Sequence, residues 1–215
     1  MIKETTLTIE EIENILVGRP DSPFYIRKNI VIPNVDWGYL NHEADLLVLS
    51  KNKHLTEIEI KRTWSDFMAD FKKKHTHVDP KIYHFYYAVP KSIGEKCFKF
   101  LYKAEWDNKR YCLRGYDSAY TEHSVSNHCG LIIYSDNLKD PDFYCKPYSI
   151  AMYAYRMNDD IYYLDEKEEL KLLRLLGMRV WNLKKKVAKL QEKERKTETK
   201  KTLKKDDQEL IIIDK

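Results

Sequence analysis

The pattern of apolar and polar positions divides the chain into alternating helices and strands. Leu7-Thr8-Ile9-Glu10-Glu11-Ile12 is a helix start: Thr8 can cap the amide of Glu11, Glu11 can reciprocate, and Leu7 can staple onto Ile12. Ile9, Ile12, Ile15 and Leu16 form an apolar stripe, and Gly18 is its stop. Residues 24–32 (FYIRKNIVI) read as a strand that Pro33 ends. Two β-rich runs, 43–50 and 55–61, flank Lys51, Asn52 and Lys53, which predicts a hairpin with Ser50 opposite His54. Thr63 and Asp66 then signal a helix with Trp64, Phe67, Met68 and Phe71 on one face. Lys72, Lys73 and Lys74 fall in its last turn, where positive charge suits the helix dipole. Residues 81–89 (KIYHFYYAV) form an aromatic strand closed by Pro90, and Ser92 with Glu95 caps a third helix to about Tyr102. Gly130 to Tyr134 is a short buried strand, 143–150 a further strand whose Pro147 suggests an edge, and Asp165 with Glu168 caps a long last helix.

This order predicts an α/β fold, a mixed sheet with the hairpin at its centre and helices outside. The segment from Glu105 to His128 keeps neither period and reads as an insertion of residues 105–128 into a domain spanning 1–183. In the last helix Leu173, Leu176, Val180, Leu183, Val187 and Leu190 alternate in steps of three and four. That heptad seam either docks on the sheet or joins two chains as a homodimer.

Composition narrows the class. The 215 residues are 43% hydrophobic and 33% charged, as in a soluble globular protein with a high charge load. No run approaches the roughly 18–20 apolar residues that span a bilayer, and the first residues lack the apolar core of a secretory signal. A cytoplasmic location without membrane partners is the expectation. Cys97, Cys112, Cys129 and Cys145 show no paired spacing and are expected as free thiols. Residues 184–215 hold 12 Lys and Arg against 7 Asp and Glu, a basic helical extension and flexible tail beyond the domain. Its apolar triplet Ile211 to Ile213 is either a disordered end or a segment that adds to a sheet edge or a partner.

The hairpin carries the chemistry. Side chains alternate along strands, so Glu57, Glu59 and Lys61 share a face, as do Glu43 and Asp45. The three-residue loop sets Asp45 opposite Glu59, bringing two carboxylates and an ammonium together in an apolar surround. Such charges are costly to bury unless paired or bound to a cation. Magnesium takes oxygen ligands, typically carboxylates and water with substrate phosphate. Asp45 and Glu59 are the candidate ligands, with the Ile60 backbone carbonyl beside them. The metal and burial would lower the pKa of Lys61 and the carboxylates would raise it; the sequence leaves the sign open. The plainer reading, a solvent-facing charged stripe, fits poorly with the continuous run Leu46, Leu47, Val48, Leu49, which suits a strand buried on both faces.

Asp45 followed by Glu59-Ile60-Lys61 at the end of the next strand resembles the PD-(D/E)XK motif of the restriction-endonuclease-like superfamily, whose αβββαβ order the predicted elements share. The stretch HEADLLVLSKNKHLTEIEIKRTWSDFMADFKKKH, with the YYAVP strand end and the GLIIY and LLRLLGMR segments, further resembles MmcB-like DNA-repair proteins and related bacterial or phage proteins. Ala44 stands where the superfamily usually has Pro. The resemblance implies a nuclease that uses Mg²⁺ or Mn²⁺ to hydrolyse DNA phosphodiesters, with Asp45 and Glu59 as metal ligands and Lys61 as catalytic lysine. The alternative is a catalytically silent nuclease-fold protein that binds nucleic acid or serves assembly.

Further candidates surround this centre. Glu43 and Glu57 share its faces, as supporting or second-metal carboxylates or as partners of the lysine. Glu10, Glu11 and Glu13 are first-helix candidates, Glu11 being explained by capping. Lys72, Lys73, Lys74, His75 and His77 either touch nucleic-acid phosphates or form a solvated helix end. Cys112, His123, His128 and Cys129 match no compact zinc spacing. Tyr83, Phe85, Tyr86 and Tyr87 suit sheet core better than a base-stacking platform.

Overall fold

A computed structural model describes residues 5–35, 38–72, 77, 79–106, 129–137, 139, 147–154 and 162–213, with the backbone alone at 102–106 and 195–213. The chain divides into two units, Met1–Lys167 and Glu168–Lys215. The sequence-based division after 183 falls inside the second.

The first unit is a mixed α/β structure. Its elements are α1 (Ile9–Val17), β1 (Ile30–Val35), β2 (Ala44–Leu49), β3 (Leu55–Ile60), α2 (Trp64–Asp70), β4 (Ile82–Pro90), α3 (Lys91–Trp106), β5 (Gly130–Tyr134) and β6 (Tyr148–Met152). The six strands form one sheet in chain order. β1, β2 and β3 are antiparallel neighbours, β3, β4 and β5 run parallel, and β6 returns antiparallel at the far edge. Every residue of β3 is buried, as a central strand covered on both faces should be. On one face Ile12 and Leu16 of α1 join Leu46, Val48, Ile58, Tyr86 and Ile132. On the other, the Phe67 ring of α2 meets Tyr87 edge-on at 5.1 Å. Phe85 and Tyr87 are fully buried sheet core. A side chain at Gly130 would run into the Tyr86 ring and the Ala154 amide, so this strand start requires glycine.

Local chemistry explains several boundaries. The capping box of α1 forms: Glu11 N donates to Thr8 Oγ1 at 3.2 Å and Thr8 N to Glu11 Oε2 at 2.8 Å. The hairpin loop closes through Ser50 N donating to His54 O at 3.0 Å and Lys53 N to Ser50 O at 2.9 Å. Lys53 turns the corner with φ 63°, a left-handed conformation that few side chains adopt without cost.

Other expectations shift. The strand read at 24–32 lies at Ile30–Val35 instead, running through Pro33; residues 25–29 form turns in which Lys28 and Asn29 both donate to the Tyr25 carbonyl. Proline is tolerated because β1 is an edge strand with no ladder on its outer side. Helix α2 stops at Asp70, capped by Phe71, so Lys72 follows the helix rather than occupying its last turn. Helix α3 begins at Lys91, and its first-turn amide at Ser92 donates to Asp136 Oδ1 at 3.1 Å, in place of the Ser92–Glu95 cap. The strand sought at 143–150 is Tyr148–Met152.

The second unit is helical. Helix α4 spans Glu166–Ile213, so the tail expected to be flexible is helical through its apolar triplet. Leu173, Val180, Leu183, Val187 and Leu190 of the seam are each 46–59% exposed. Among the described residues no helix is long and apolar enough to cross a membrane.

Candidate functional site

The site forms where β2 and β3 part. Their ladder runs from Leu49 opposite Leu55 to Leu46 opposite Ile58. One step further Asp45 faces Glu59, as the three-residue loop requires, and side chains replace the ladder. Asp45 N donates to Glu59 Oε1 at 3.2 Å, and Ile60 N donates to Asp45 Oδ2 at 2.8 Å. Each carboxylate thus occupies the backbone donor that the partner strand leaves open.

Lys61 comes next and is held at both ends. Its amide donates to Ala88 O at 2.8 Å, and its carbonyl accepts from the Tyr134 hydroxyl at 3.3 Å. Its ammonium lies 3.0 Å from Glu59 Oε2 and 2.6 Å from Asp70 Oδ2. Asp70 reaches it because Thr63 caps α2 directly after β3, and Asp70 stands three residues beyond the buried Phe67, on the inward face.

Behind this triad lies a second buried cluster. Glu57, fully enclosed, accepts from His42 Nε2 at 2.8 Å and from His77 Nδ1 at 2.8 Å. His77 Nε2 faces Asp70 Oδ2 at 3.4 Å, so polar groups run without a break from His42 to Asp45. Two groups of ligand-type residues are close enough to hold a metal, His42-Glu57-His77 and Glu59-Asp70-His77.

The electrostatics follow from burial. Burial pushes the Asp45 carboxyl up, against the lowering effect of the Ile60 amide and Lys61. Glu59 is pushed up to about 7 by burial, with the charges of Asp45 and Glu57 adding to it and His77 and Lys61 opposing. Burial alone would lower Lys61, but Glu59 and Asp70 outweigh it and hold the amine above its ordinary value, as an ammonium. Burial would raise Asp70, yet the hydrogen bond from His77 and the charge of Lys61 hold it well below the carboxylate range. His77, which burial would lower, is raised to about 10, chiefly by Glu57.

A cleft of about 340 Å³ opens over Asp45, Glu59, Ile60 and Lys61, with Glu43 and Asp66 also in its wall. Four carboxylates and one ammonium would repel a polyanion unless a cation entered first. The residues present fit such a cation: Asp45 and Glu59 are adjacent, border the cleft and carry charge that burial disfavours.

The candidates separate clearly. Asp45, Glu59, Ile60 and Lys61 come together. Glu43 is exposed at the cleft wall. Glu57 is bound by two histidines and is not the partner of Lys61. Of the first-helix glutamates, Glu13 is the one that feels the charge of Asp45 after burial and Glu10, while Glu11 caps α1. His77 is 5% exposed and belongs to the buried cluster, not to a phosphate-binding surface. Lys72 is exposed; Lys73, Lys74 and His75 lie outside the described residues, as do Cys112, His123 and His128. Cys97 and Cys129 are both buried and in no disulfide among the described residues. Sequence reasoning missed Asp70 and His42. The helical offset of Asp70 from Phe67 was one signal, and a fully buried Glu57, which must find donors, was the other.

No protein-family model matches the chain, and no curated protein does. Among solved structures it is similar to a protein of unknown function, SPO1766 from Silicibacter pomeroyi. The two are 12% identical, with a TM-score of 0.41 over 73% of this chain and 77% of that one.

Proposed function

We propose that the protein is a metal-dependent nuclease of the PD-(D/E)XK, restriction-endonuclease-like kind that hydrolyses DNA phosphodiester bonds, in DNA repair or in phage or bacterial DNA metabolism. The observation that carries this reading is Asp45 beside Glu59 at the mouth of the β2–β3 hairpin, with Lys61 one step beyond. The order α1-β1-β2-β3-α2-β4 supports it, since it is the αβββαβ order that this superfamily is expected to share.

Asp45 and Glu59, with the Ile60 carbonyl, would hold Mg²⁺ or Mn²⁺, which when bound supplies a Lewis acid and a more acidic water. Lys61 enters the reaction as an ammonium. It is suited to hydrogen-bond a phosphate oxygen and offset the negative charge that grows there, rather than to take a proton. Asp70 keeps that ammonium aimed when Glu59 turns to the cation. Glu43 and Asp66 disfavour a phosphate backbone in the cation-free cleft, which makes cation entry a condition of binding.

The test is cleavage of plasmid, linear, single-stranded and branched DNA with and without Mg²⁺ by the full chain and by Asp45→Ala, Glu59→Ala and Lys61→Ala. Loss of cleavage in all three, with the fold intact by circular dichroism, is the expected result; cleavage that survives them places the activity elsewhere. A second reading, a silent nuclease-fold protein serving assembly, rests on the exposed seam of α4. Salt-sensitive DNA binding or self-association with no cleavage in Mg²⁺ or Mn²⁺ would select it.

A further inference from the structure

His42, Glu57 and His77 form a cluster that the nuclease chemistry does not use. They come from three separate segments: the loop before β2, the middle of β3 and the stretch after α2. Their side chains are 5%, 0% and 6% exposed. His42 Nε2 sits astride the Glu57 carboxylate, 2.9 Å from Oε1 and 2.8 Å from Oε2, and His77 Nδ1 approaches Oε1 at 2.8 Å.

The outer nitrogens make the arrangement informative. His42 Nδ1 is 2.6 Å from Asn41 Oδ1, and His77 Nε2 faces Asp70 Oδ2 at 3.4 Å. Outer acceptors of this kind are how metal-bound histidines are held, because with a metal present they take the N–H outward and leave the inward lone pair for the ion. Toward the Glu57 carboxylate each ring needs a positive group, either its own N–H, as in the metal-free chain, or a bound cation. A proton on each ring would meet this need one ring at a time, whereas one divalent cation meets it for both rings and the carboxylate together.

We infer that His42, Glu57 and His77 bind a structural zinc ion, separate from the Asp45–Glu59 cleft. Two imidazoles and a carboxylate suit zinc and its first-row neighbours, whereas magnesium prefers oxygen alone. The ligand atoms already lie within 4.8 Å of one another, so small rotations bring them to coordination distance. Burial closes the site to substrate, and its effect is to tie the two loops to the central strand. The inference does not depend on the nuclease reading.

The test uses the full chain, stripped with a chelator and titrated with Zn²⁺, Co²⁺ or Mg²⁺ alone. One Zn²⁺ should bind per chain and raise the thermal midpoint as ligand linkage requires, and Mg²⁺ should not compete. Co²⁺ should give visible bands of four-coordinate nitrogen and oxygen ligation that Zn²⁺ abolishes. His42→Gln and His77→Gln should each weaken Zn²⁺ by at least about tenfold, the scale of loss at a perturbed metal site. Asp45→Ala should leave it unchanged, whether or not that variant cleaves DNA. Absence of stoichiometric Zn²⁺ binding and of cobalt bands in the unmodified chain would overturn the site, leaving two protonated rings around a carboxylate. Affinity indifferent to His42→Gln, or lost in Asp45→Ala, would overturn it too. If His77→Gln does not fold, the cobalt spectrum of the unmodified chain decides.

Discussion

Lys61 Nζ lies 2.6 Å from Asp70 Oδ2, and this pair connects the end of β3 to the end of α2. The lysine's other carboxylate partner, Glu59, lines the cleft as a proposed metal ligand; Asp70 does not line it, so it can hold the ammonium while the cleft is loaded. Asp70→Asn keeps the shape and removes the charge. Cleavage by the variant should fall by on the order of 10²-fold through a rise in disorder of Lys61, with little change in Mg²⁺ affinity. A turnover assay run beside a magnesium titration checks this, and a parallel fall in metal affinity would argue that Asp70 is itself a ligand.

Asp45→Asn should separate function from stability. Asparagine can still accept from Ile60 N through its side-chain oxygen, yet it no longer brings a buried negative charge beside Asp66 and Asp70. Because burial and those neighbours raise the Asp45 carboxyl, removing the charge should leave the metal-free chain as stable as before or more so. Magnesium-dependent cleavage should meanwhile drop by about 10²–10³-fold, the scale of losing a Lewis-acid contribution. Urea unfolding in chelator and plasmid cleavage in magnesium measure the two halves.

How much of this was legible follows from the range of each interaction. The hairpin register could be read because a three-residue loop and a two-residue side-chain period leave one alignment that puts Asp45 by Glu59. The α1 capping box and the Thr63 cap were legible because donor and acceptor sit three residues apart. Asp70, His42 and His77 were not, because what makes them partners is a fold that brings residues 42, 57, 70 and 77 into one interior. The β1 boundary went wrong because Pro33 reads as a strand stop unless the strand is known to lie at an edge. The α3 cap failed for a related reason: its acceptor, Asp136, is 44 residues away from Ser92.

That distant cap can be weighed. Asp136→Ala removes the acceptor of the Ser92 amide and should destabilise the fold by about 1 kcal/mol, the usual worth of a helix N-terminal acceptor. Glu95 forms an exposed pair with Lys99, so Glu95→Ala should change stability far less than Asp136→Ala. Denaturant midpoints of the two variants test the order; equal effects would restore Glu95 to the cap.

Lys53 bears the left-handed position of the hairpin loop without the freedom of glycine. Lys53→Gly relieves the clash of its Cβ with the backbone and should stabilise the fold by up to about 1 kcal/mol, less what glycine loses in chain entropy. The Ser50–His54 closure uses main-chain atoms and is unchanged by the substitution. A higher denaturant midpoint with unaltered slope is the expected measurement; a lower one would mean the lysine side chain contributes more than its backbone costs.

The α4 seam yields the last expectation. Leu173, Val180, Leu183, Val187 and Leu190 present an exposed apolar line, and Arg179, Lys184 and Lys186 flank it at the positions that face a partner helix in a coiled coil. Apolar burial favours pairing of two copies while the flanking like charges oppose it. Self-association through this seam should therefore be weak at low ionic strength and strengthen as salt screens the lysines and arginine. Salt should have the opposite effect on DNA binding, where phosphate contacts weaken. Sedimentation of the full chain and of Leu183→Glu at low and high salt distinguishes the cases. A dimer that grows with salt and disappears in the variant supports the seam, and a chain that stays monomeric throughout removes it as an interface between copies.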